Sequence, residues 1–404
     1  MLYKAVMIIL WMKKELEALH HASMERRLHT HVPISESPGY VMHGGRALLD
    51  LSSNDYLGLA QHPAIIEAMR DALLKEGAGA GASRLVTGNR QPYAQLEKAL
   101  AEWQNCDAAL VFANGYTANV GVISALVGRG DVVFSDQFNH ASIVDGIILS
   151  RAEHARYRHN DIEHLRALLH KFRDKRRKLI VTDAVFSMDG DQARLIDLIA
   201  LKREYNALLM VDEAHSGGIY GSRGEGLISA LRVTSNVDIH MGTLSKSFGI
   251  YGAYVCGNET LIRWLINKAR PLIYSTALPP SLIAGAAQAL KLIQTEHWRR
   301  ERLIAASEFF RSSLCDAGFN IGNGDSAIVP VILEHNHEAL LFSSALENEG
   351  IAAIAIRPPT VPEGTARIRF SLSAVHSLEE LTDAVTKICR LGLQLGVLES
   401  CRQN

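Results

Sequence analysis

Four short strings hold the side chains that could do chemistry: NGY (114–116), NHAS (139–142), VDEAH (211–215) and TLSK (243–246). Asp212 closes an apolar run, ALLMVD, where an isolated carboxylate is costly unless it meets a cation or hydrogen-bond donors. Lys246 follows another apolar run among small residues, and a desolvated ammonium becomes a usable nucleophile toward carbonyls. An aspartate to face a pyridinium nitrogen and a lysine to form a Schiff base are the minimal set that pyridoxal phosphate needs. Either residue alone says little, because an aspartate after a strand often caps a helix and a loop lysine is usually a surface group. The order is what counts: Gly-aromatic, His, Ser, Asp-x-x-His, then Ser-Lys, each at the end of an expected strand.

Those ends belong to short apolar runs that alternate with helix-length segments: AALVF (108–112), DVVFSD (131–136), KLIVTD (178–183), ALLMVDEAH (207–215), DIHMGTLSK (238–246) and AYVCG (253–257). Alternation of this kind predicts an α/β fold, a mostly parallel central sheet with helices on both faces. In such a sheet, ligands bind at the carboxyl ends of the strands. Past residue 290 a long helical stretch, SLIAGAAQALKLIQTEHWRRERLIAASEFFRSSL, leads to strands SAIVPVILE and ARIRFSLSA with a helix between them, a smaller C-terminal α+β domain. Residues 13–28 read as an amphipathic helix, followed by a strand-like segment in ALLDLSSNDYLGL. The expected division is an N-terminal segment 1–57, a large domain 58–293 and a small domain 294–404.

A chain of 404 residues with 48% hydrophobic and 21% charged residues has the make-up of a globular protein and excludes a disordered or disulfide-stapled one. Forty-two basic residues against 43 acidic ones leave a net charge of −1, which gives no support for nucleic-acid binding. The basic run KFRDKRRK (171–178) reads as a solvated helix end. Cys106, Cys256, Cys315, Cys389 and Cys401 form no C-x-x-C pair, so no metal site is expected, and their odd number fits a reducing, cytoplasmic setting. The opening apolar run is too short to span a bilayer and has no small-residue cleavage site after it, so residues 1–11 read as an upstream extension and no membrane partner is expected. The Gly-rich stretch GAGAGASRLVTG (77–88) lacks the Gly-Lys-Ser/Thr ending of a P-loop, and no G-x-G-x-x-G follows an expected strand, which argues against a nicotinamide dehydrogenase.

From about residue 13 onward the chain resembles the α-oxoamine synthases, fold-type I enzymes that use pyridoxal phosphate to join an amino acid to an acyl thioester with loss of carbon dioxide. The strings that carry the resemblance are SSNDYLGL (52–59), NGYTAN (114–119), NHAS (139–142), VFSMDGD (185–191), VDEAHSGG (211–218), TLSKSFG (243–249), IYSTALPP (273–280) and RPPTVPEGTARIRFSLSA (357–374). The last narrows it to the branch that takes L-alanine and a pimeloyl thioester.

The resemblance implies that Lys246 holds the cofactor, that Asp212 pairs with its ring nitrogen and that His140 stacks on the ring face. It implies that Ser187 and His215 bond the ring oxygen, that Gly115 and Tyr116 contact the cofactor, and that Thr243 binds its phosphate. Ser275 and Thr276 would reach the phosphate of a neighbouring subunit, giving a homodimer with shared sites. For substrate it points to Arg369 with Asn54 at the amino-acid carboxylate, and to Arg26, Arg357 and Thr360 around the acyl chain, with Arg26, joined by Arg357, meeting its far carboxylate. Two positions depart from the pattern: Asp183 stands where some relatives have Glu, and Tyr116 where Phe is common. Two other readings remain open at this point: a member that takes glycine and an acetyl thioester, and a catalytically silent partner subunit. The retained trio of Lys246, Asp212 and His140 argues against the second.

Overall fold

The computed structural model describes residues 2–398, so Cys401 lies outside the described residues. By its contacts the chain forms two units: residues 54–187 with 191–303, and residues 1–53 with 188–190 and 304–404.

The larger unit is built on a seven-stranded sheet. Its strands run, edge to edge, Ala108–Phe112, Ala253–Gly257, Ile239–Thr243, Leu208–Asp212, Lys178–Asp183, Val132–Asp136 and Glu153–Tyr157. Only Ala253–Gly257 runs antiparallel to its neighbours; the other pairings are parallel. A strand covered on both faces sends alternate side chains to opposite sides, and every one must be apolar. Phe134, Ile180, Leu209 and Val211 accordingly enter one core, while Val133, Leu179, Val181 and Met210 enter the other. Each such side chain contributes roughly 1.5–3 kcal/mol by leaving water.

Six of the seven strands match apolar runs of the sequence. Glu153–Tyr157 has no such run because it is an edge strand, with only Ala155 and Tyr157 buried. Lys178–Asp183 and Leu208–Asp212 end in register, so that Asp183 and Asp212 are direct neighbours at the carboxyl edge.

The smaller unit joins the two ends of the chain. Arg46–Asp50 pairs in parallel with Ile351–Ala352, and Ile328–Glu334, Ala366–Ser371 and Ala355–Ile356 form a separate antiparallel sheet. The first helix is Leu2–His21, not 13–28; Ser23, at φ 55°, takes the left-handed conformation and the chain beyond it is extended. Arg26 therefore lies after the helix rather than on it. The long stretch past residue 280 is two helices, Pro280–Thr295 and His297–Asp316, parted at Glu296.

Gly242, in the strand that leads to Lys246, sits opposite Tyr254, and a Cβ there would overlap the phenol ring. Tyr254 is 1% exposed and its hydroxyl accepts from Gln104 Nε2 at 3.2 Å, so the ring has nowhere to move. Gly242→Ala should destabilise the protein by about 1–3 kcal/mol in urea denaturation, the usual cost of overpacking.

Candidate active site

Asp212 is 4% exposed at the end of its strand. Its Oδ1 accepts from the Ala214 amide at 2.9 Å and its Oδ2 from Asn119 Nδ2 at 2.8 Å. Asn119 lies on the helix Gly115–Leu126, and its amide also donates to Ser142 Oγ at 2.9 Å. With that donor on its oxygen, Ser142 turns its own hydroxyl hydrogen to His140 Nδ1, 2.7 Å away. The Ser142 amide reaches the same Nδ1 at 3.2 Å, which makes His140 the cap of helix Ala141–Ser150. Nδ1 is thus an acceptor and the neutral ring carries its proton on Nε2. Desolvation pushes the His140 pKa below the ordinary histidine value; the Asp212 charge opposes this and the Lys246 charge adds to it, although part of the residue still meets solvent.

Asp183 fixes the backbone of the same residue, its Oδ2 accepting from the His140 amide at 2.9 Å. Asn139 completes the seat, accepting from the Asp183 amide at 3.0 Å and donating to Val181 O at 2.8 Å. Burial, and then the neighbouring Asp212 charge, hold the Asp183 carboxyl well above the usual range. Two adjacent buried carboxylates resist double ionisation, so Asp183 keeps a proton more readily than an ordinary carboxyl does.

A second chain of hydrogen bonds ends on the lysine. Lys246 Nζ lies 2.7 Å from His215 Nε2, His215 Nδ1 lies 2.6 Å from the Tyr56 hydroxyl, and that hydroxyl donates to Asn54 Oδ1 at 3.2 Å. Because the Tyr56 hydrogen goes to Asn54, the phenol oxygen must accept from His215 Nδ1–H. His215 Nε2 then presents a lone pair to the amine. Tyr56 is fully buried, and a phenol beside an imidazole in so dry a place is a fixed part.

The remaining expected residues of this unit lie as follows. Gly115 and Tyr116 open the helix capped by Asn114, whose side chain accepts from Thr117 N. A Cβ on Gly115 would come within 3.2 Å of Met241 Cε and 3.9 Å of Thr243 Cβ. Tyr116 is half exposed and its hydroxyl donates to Asp145. Thr243 Oγ1 donates to Gly252 O at 3.0 Å and lies 2.6 Å from Ser245 Oγ, which brings forward a hydroxyl that sequence reading passed over. Ser187 follows the buried Phe186 after the Asp183 strand. Ser275 bonds back to Pro271 O, and exposed Thr276 bridges to Ser83.

The donor set fits pyridoxal phosphate. An amine backed by an imidazole lone pair suits its aldehyde carbon, and Asp212 keeps acceptor capacity beyond its two bonds for a ring N–H. The first-turn amides at Gly115, with Thr243 and Ser245 close by, suit a phosphate.

The other expected residues belong to the smaller unit, which contains a cavity of 890 Å³ lined by His20, Arg26, Leu28, Leu340, Arg357 and Thr360 among others. Arg26 is exposed and donates to Thr360 Oγ1 at 3.2 Å. Arg357 donates to Ser23 O and, at 3.3 Å, to Glu25 O, so its guanidinium holds the segment that carries Arg26. Burial and then the Arg26 charge lower the Arg357 pKa, a sign that the two cations lie close together. Arg369 is 6% exposed on strand Ala366–Ser371.

Comparison with known proteins agrees with this geometry. The family model described as aminotransferase class I and II matches residues 46–388. The chain belongs to that family, and its architecture is that of the fold-type I pyridoxal phosphate transferases. A Geobacillus kaustophilus protein provisionally named 8-amino-7-oxononanoate synthase is 50% identical, over 96% of this chain and 100% of its own. Among solved structures, a serine palmitoyltransferase of S. paucimobilis with bound PLP and myriocin superposes with TM-score 0.91 at 33% identity, over 96% of this chain and 98% of its own. An 8-amino-7-oxononanoate synthase of Francisella tularensis gives 0.75 at 30% identity, over 85% and 97%.

Removing the Tyr56 hydroxyl leaves a buried His215 N–H without its acceptor, a loss of about 1–3 kcal/mol. Tyr56→Phe should lower stability by that amount in urea denaturation. In the wild-type protein, nitrogen NMR should find the His215 proton on Nδ1; a proton on Nε2 would reverse the direction of the chain.

Proposed function

We propose that the protein condenses L-alanine with a pimeloyl thioester, releasing carbon dioxide and the thiol and giving 8-amino-7-oxononanoate, a step of biotin synthesis. The observation that carries the choice of acyl chain is Arg26: an exposed guanidinium beside Thr360, on a cavity whose lining includes Leu28, Leu48, Leu340 and Ile356. Apolar walls suit a methylene chain, and a cation suits the carboxylate at its far end, which would otherwise leave water without a partner. The provisional names of relatives near 50% identity support the same reading.

Pyridoxal phosphate, held by Lys246, supplies an electron sink for charge at the amino acid's Cα. Asp212 keeps a proton on the ring nitrogen so that the sink stays open. His140 covers one ring face and excludes water from it. The Lys246 amine, its direction set by the His215 Nε2 lone pair, would take the Cα proton of the bound amino acid. Ser187 would bond the ring oxygen and Thr243 with Ser245 the phosphate, whereas His215, its one N–H already on Tyr56, would act through the lone pair it turns to Lys246. For the amino-acid carboxylate, the family resemblance implies Asn54 and Arg369.

Two copies would share these sites. Leu85 is 52%, Val86 73% and Tyr274 72% exposed beside Ser275 and Thr276, an apolar surface that a second copy would cover while bringing its hydroxyls to the neighbouring phosphate.

Borohydride treatment of the holoprotein should fix the cofactor to Lys246, and Lys246→Ala should abolish turnover; a variant that turns over normally defeats the mechanism. Arg26→Ala should raise the KM for pimeloyl thioester about tenfold, the effect of one charge-assisted hydrogen bond of about 1.5 kcal/mol, and leave that for L-alanine unchanged. It should also erase the preference over an uncharged acyl chain of equal length. A wild-type protein that prefers glycine with an acetyl thioester, or L-serine with a palmitoyl thioester, overturns the acyl assignment and leaves the family intact.

A further inference from the structure

Outside the residues discussed so far, the larger unit contains a charged group that the proposed chemistry does not use. His159 follows the edge strand Glu153–Tyr157, and both of its ring nitrogens meet carboxylates. Nδ1 lies 3.0 Å from Asp136 Oδ1 and Nε2 lies 2.7 Å from Asp191 Oδ2. A carboxylate only accepts, so both nitrogens donate and the ring is an imidazolium. Phe138 stacks on it with ring centres 4.5 Å apart and 25° between planes, while Phe186 meets it edge-on at 4.4 Å.

The two carboxylates belong to the two loops that carry site residues. Asp136 ends the strand before Asn139 and His140, and its Oδ1 also accepts from the Phe138 amide at 2.8 Å. Asp191 closes the turn that contains Ser187, with the Phe186 amide bonded to Asp191 O at 2.9 Å. Asn160 adds a second tie, its amide donating to Asp136 Oδ2 at 2.8 Å and its side chain to Asp191 Oδ2 at 3.0 Å. The other Asp191 oxygen is buried without a hydrogen-bond partner, so His159 and Asn160 supply the hydrogen bonds of this carboxylate.

We propose that His159 is a positioning residue: its imidazolium clamps Asp136 to Asp191 and so fixes the loop of His140 against the turn of Ser187. The two stacked phenylalanines fix the plane of the clamp. Asp136, His159 and Asp191 bond one another and the two loops; the clamp would act by setting the distance between a ring-stacking side chain and a ring-oxygen donor. This role rests on the cofactor reading given above.

The charged groups that face the ring are Asp136 and Asp191. Burial disfavours the charge, but the hydrogen bonds and charges of these carboxylates prevail and raise the pKa to about 9. A pKa raised on folding stabilises fully below the unfolded value near 6.5, and the gain is lost as pH climbs through about 9.

The test has two arms. In apoprotein, His159→Gln should speed amide exchange at least tenfold in residues 137–140 and 186–192, and leave helix Leu378–Gln394 unchanged. In titrations with pyridoxal phosphate, the variant should bind at least tenfold more weakly and show an altered induced circular dichroism band. Asp191→Asn, a milder change, should shift the same two readouts in the same direction. Nitrogen NMR of the wild-type protein at pH 7.5 should find both His159 nitrogens protonated, and the protection of both loops, relative to the base-catalysed rate of an unstructured chain, should begin to fall as pH passes 9. Unchanged exchange and an unchanged dichroism band in both variants, or a neutral His159 at pH 7.5, overturn the clamp. If the wild-type protein takes up no pyridoxal phosphate, the cofactor reading fails instead, and the exchange arm still decides the clamp.

Discussion

The larger unit is organised around one unfavourable fact: two carboxylates, Asp183 and Asp212, lie side by side at the carboxyl edge of the sheet with almost no water. A buried charge persists only where donors or cations meet it. Asn119 and the Ala214 amide meet Asp212, and the His140 amide meets Asp183. Each donor also does something else. Asn119 passes a hydrogen bond on to Ser142 and so sets the tautomer of His140, while the His140 amide bonded to Asp183 fixes where that ring starts. Satisfying the carboxylates and aiming the imidazole are the same set of bonds. A change at Asn119 would disturb both at once, which is why such networks resist being divided residue by residue.

The sequence made the strand ends legible and left their cross-links hidden, for a physical reason. A parallel strand buried on both faces must be apolar throughout, so the first polar residue after the run marks its end, and Asp183, Asp212 and Thr243 stand at such ends. Tyr56 and His215 are 159 positions apart and Asn119 and Asp212 are 93 apart, and nothing local marks either pair. Both Tyr56 and Asn119 stand inside strings that carried the family resemblance, yet neither shows its partner there. His159 is harder still: it follows a polar edge strand with no apolar run, and its meaning exists only once Asp136 and Asp191 are brought to it.

The arginines show a different kind of gap. The family resemblance sets Arg26 and Arg357 together at one acid. In the structure Arg357 spends its donors on the carbonyls of Ser23 and Glu25, and only Arg26 presents its charge with a side-chain partner at Thr360. A guanidinium bound to backbone orders a segment that is otherwise extended, and so lowers the entropy that Arg26 would lose on meeting a ligand. Two arginines that look alike in the sequence therefore divide the work, one ordering the chain and the other facing the cavity.

Lys246 itself combines a rigid backbone with a long side chain. Gly249, at φ 65°, lies so close to Leu59 and Ala60 that a Cβ would overlap their backbone, and Gly218, at φ 89°, leaves room for Ser247, whose Cβ would be only 2.5 Å from any side chain there. These two close approaches pin the turn just after the lysine, and a larger residue at Gly218 or Gly249 could not be accommodated without moving it. Lys246 Nζ then differs in position only through its own side-chain torsions, about a fixed root. That arrangement suits the proposed role of Lys246, in which one amine would both hold the cofactor and take a proton a few ångströms away. A mobile turn would spread Nζ over many positions and dilute each of them, whereas a rigid one confines it to rotamers that end near the His215 lone pair.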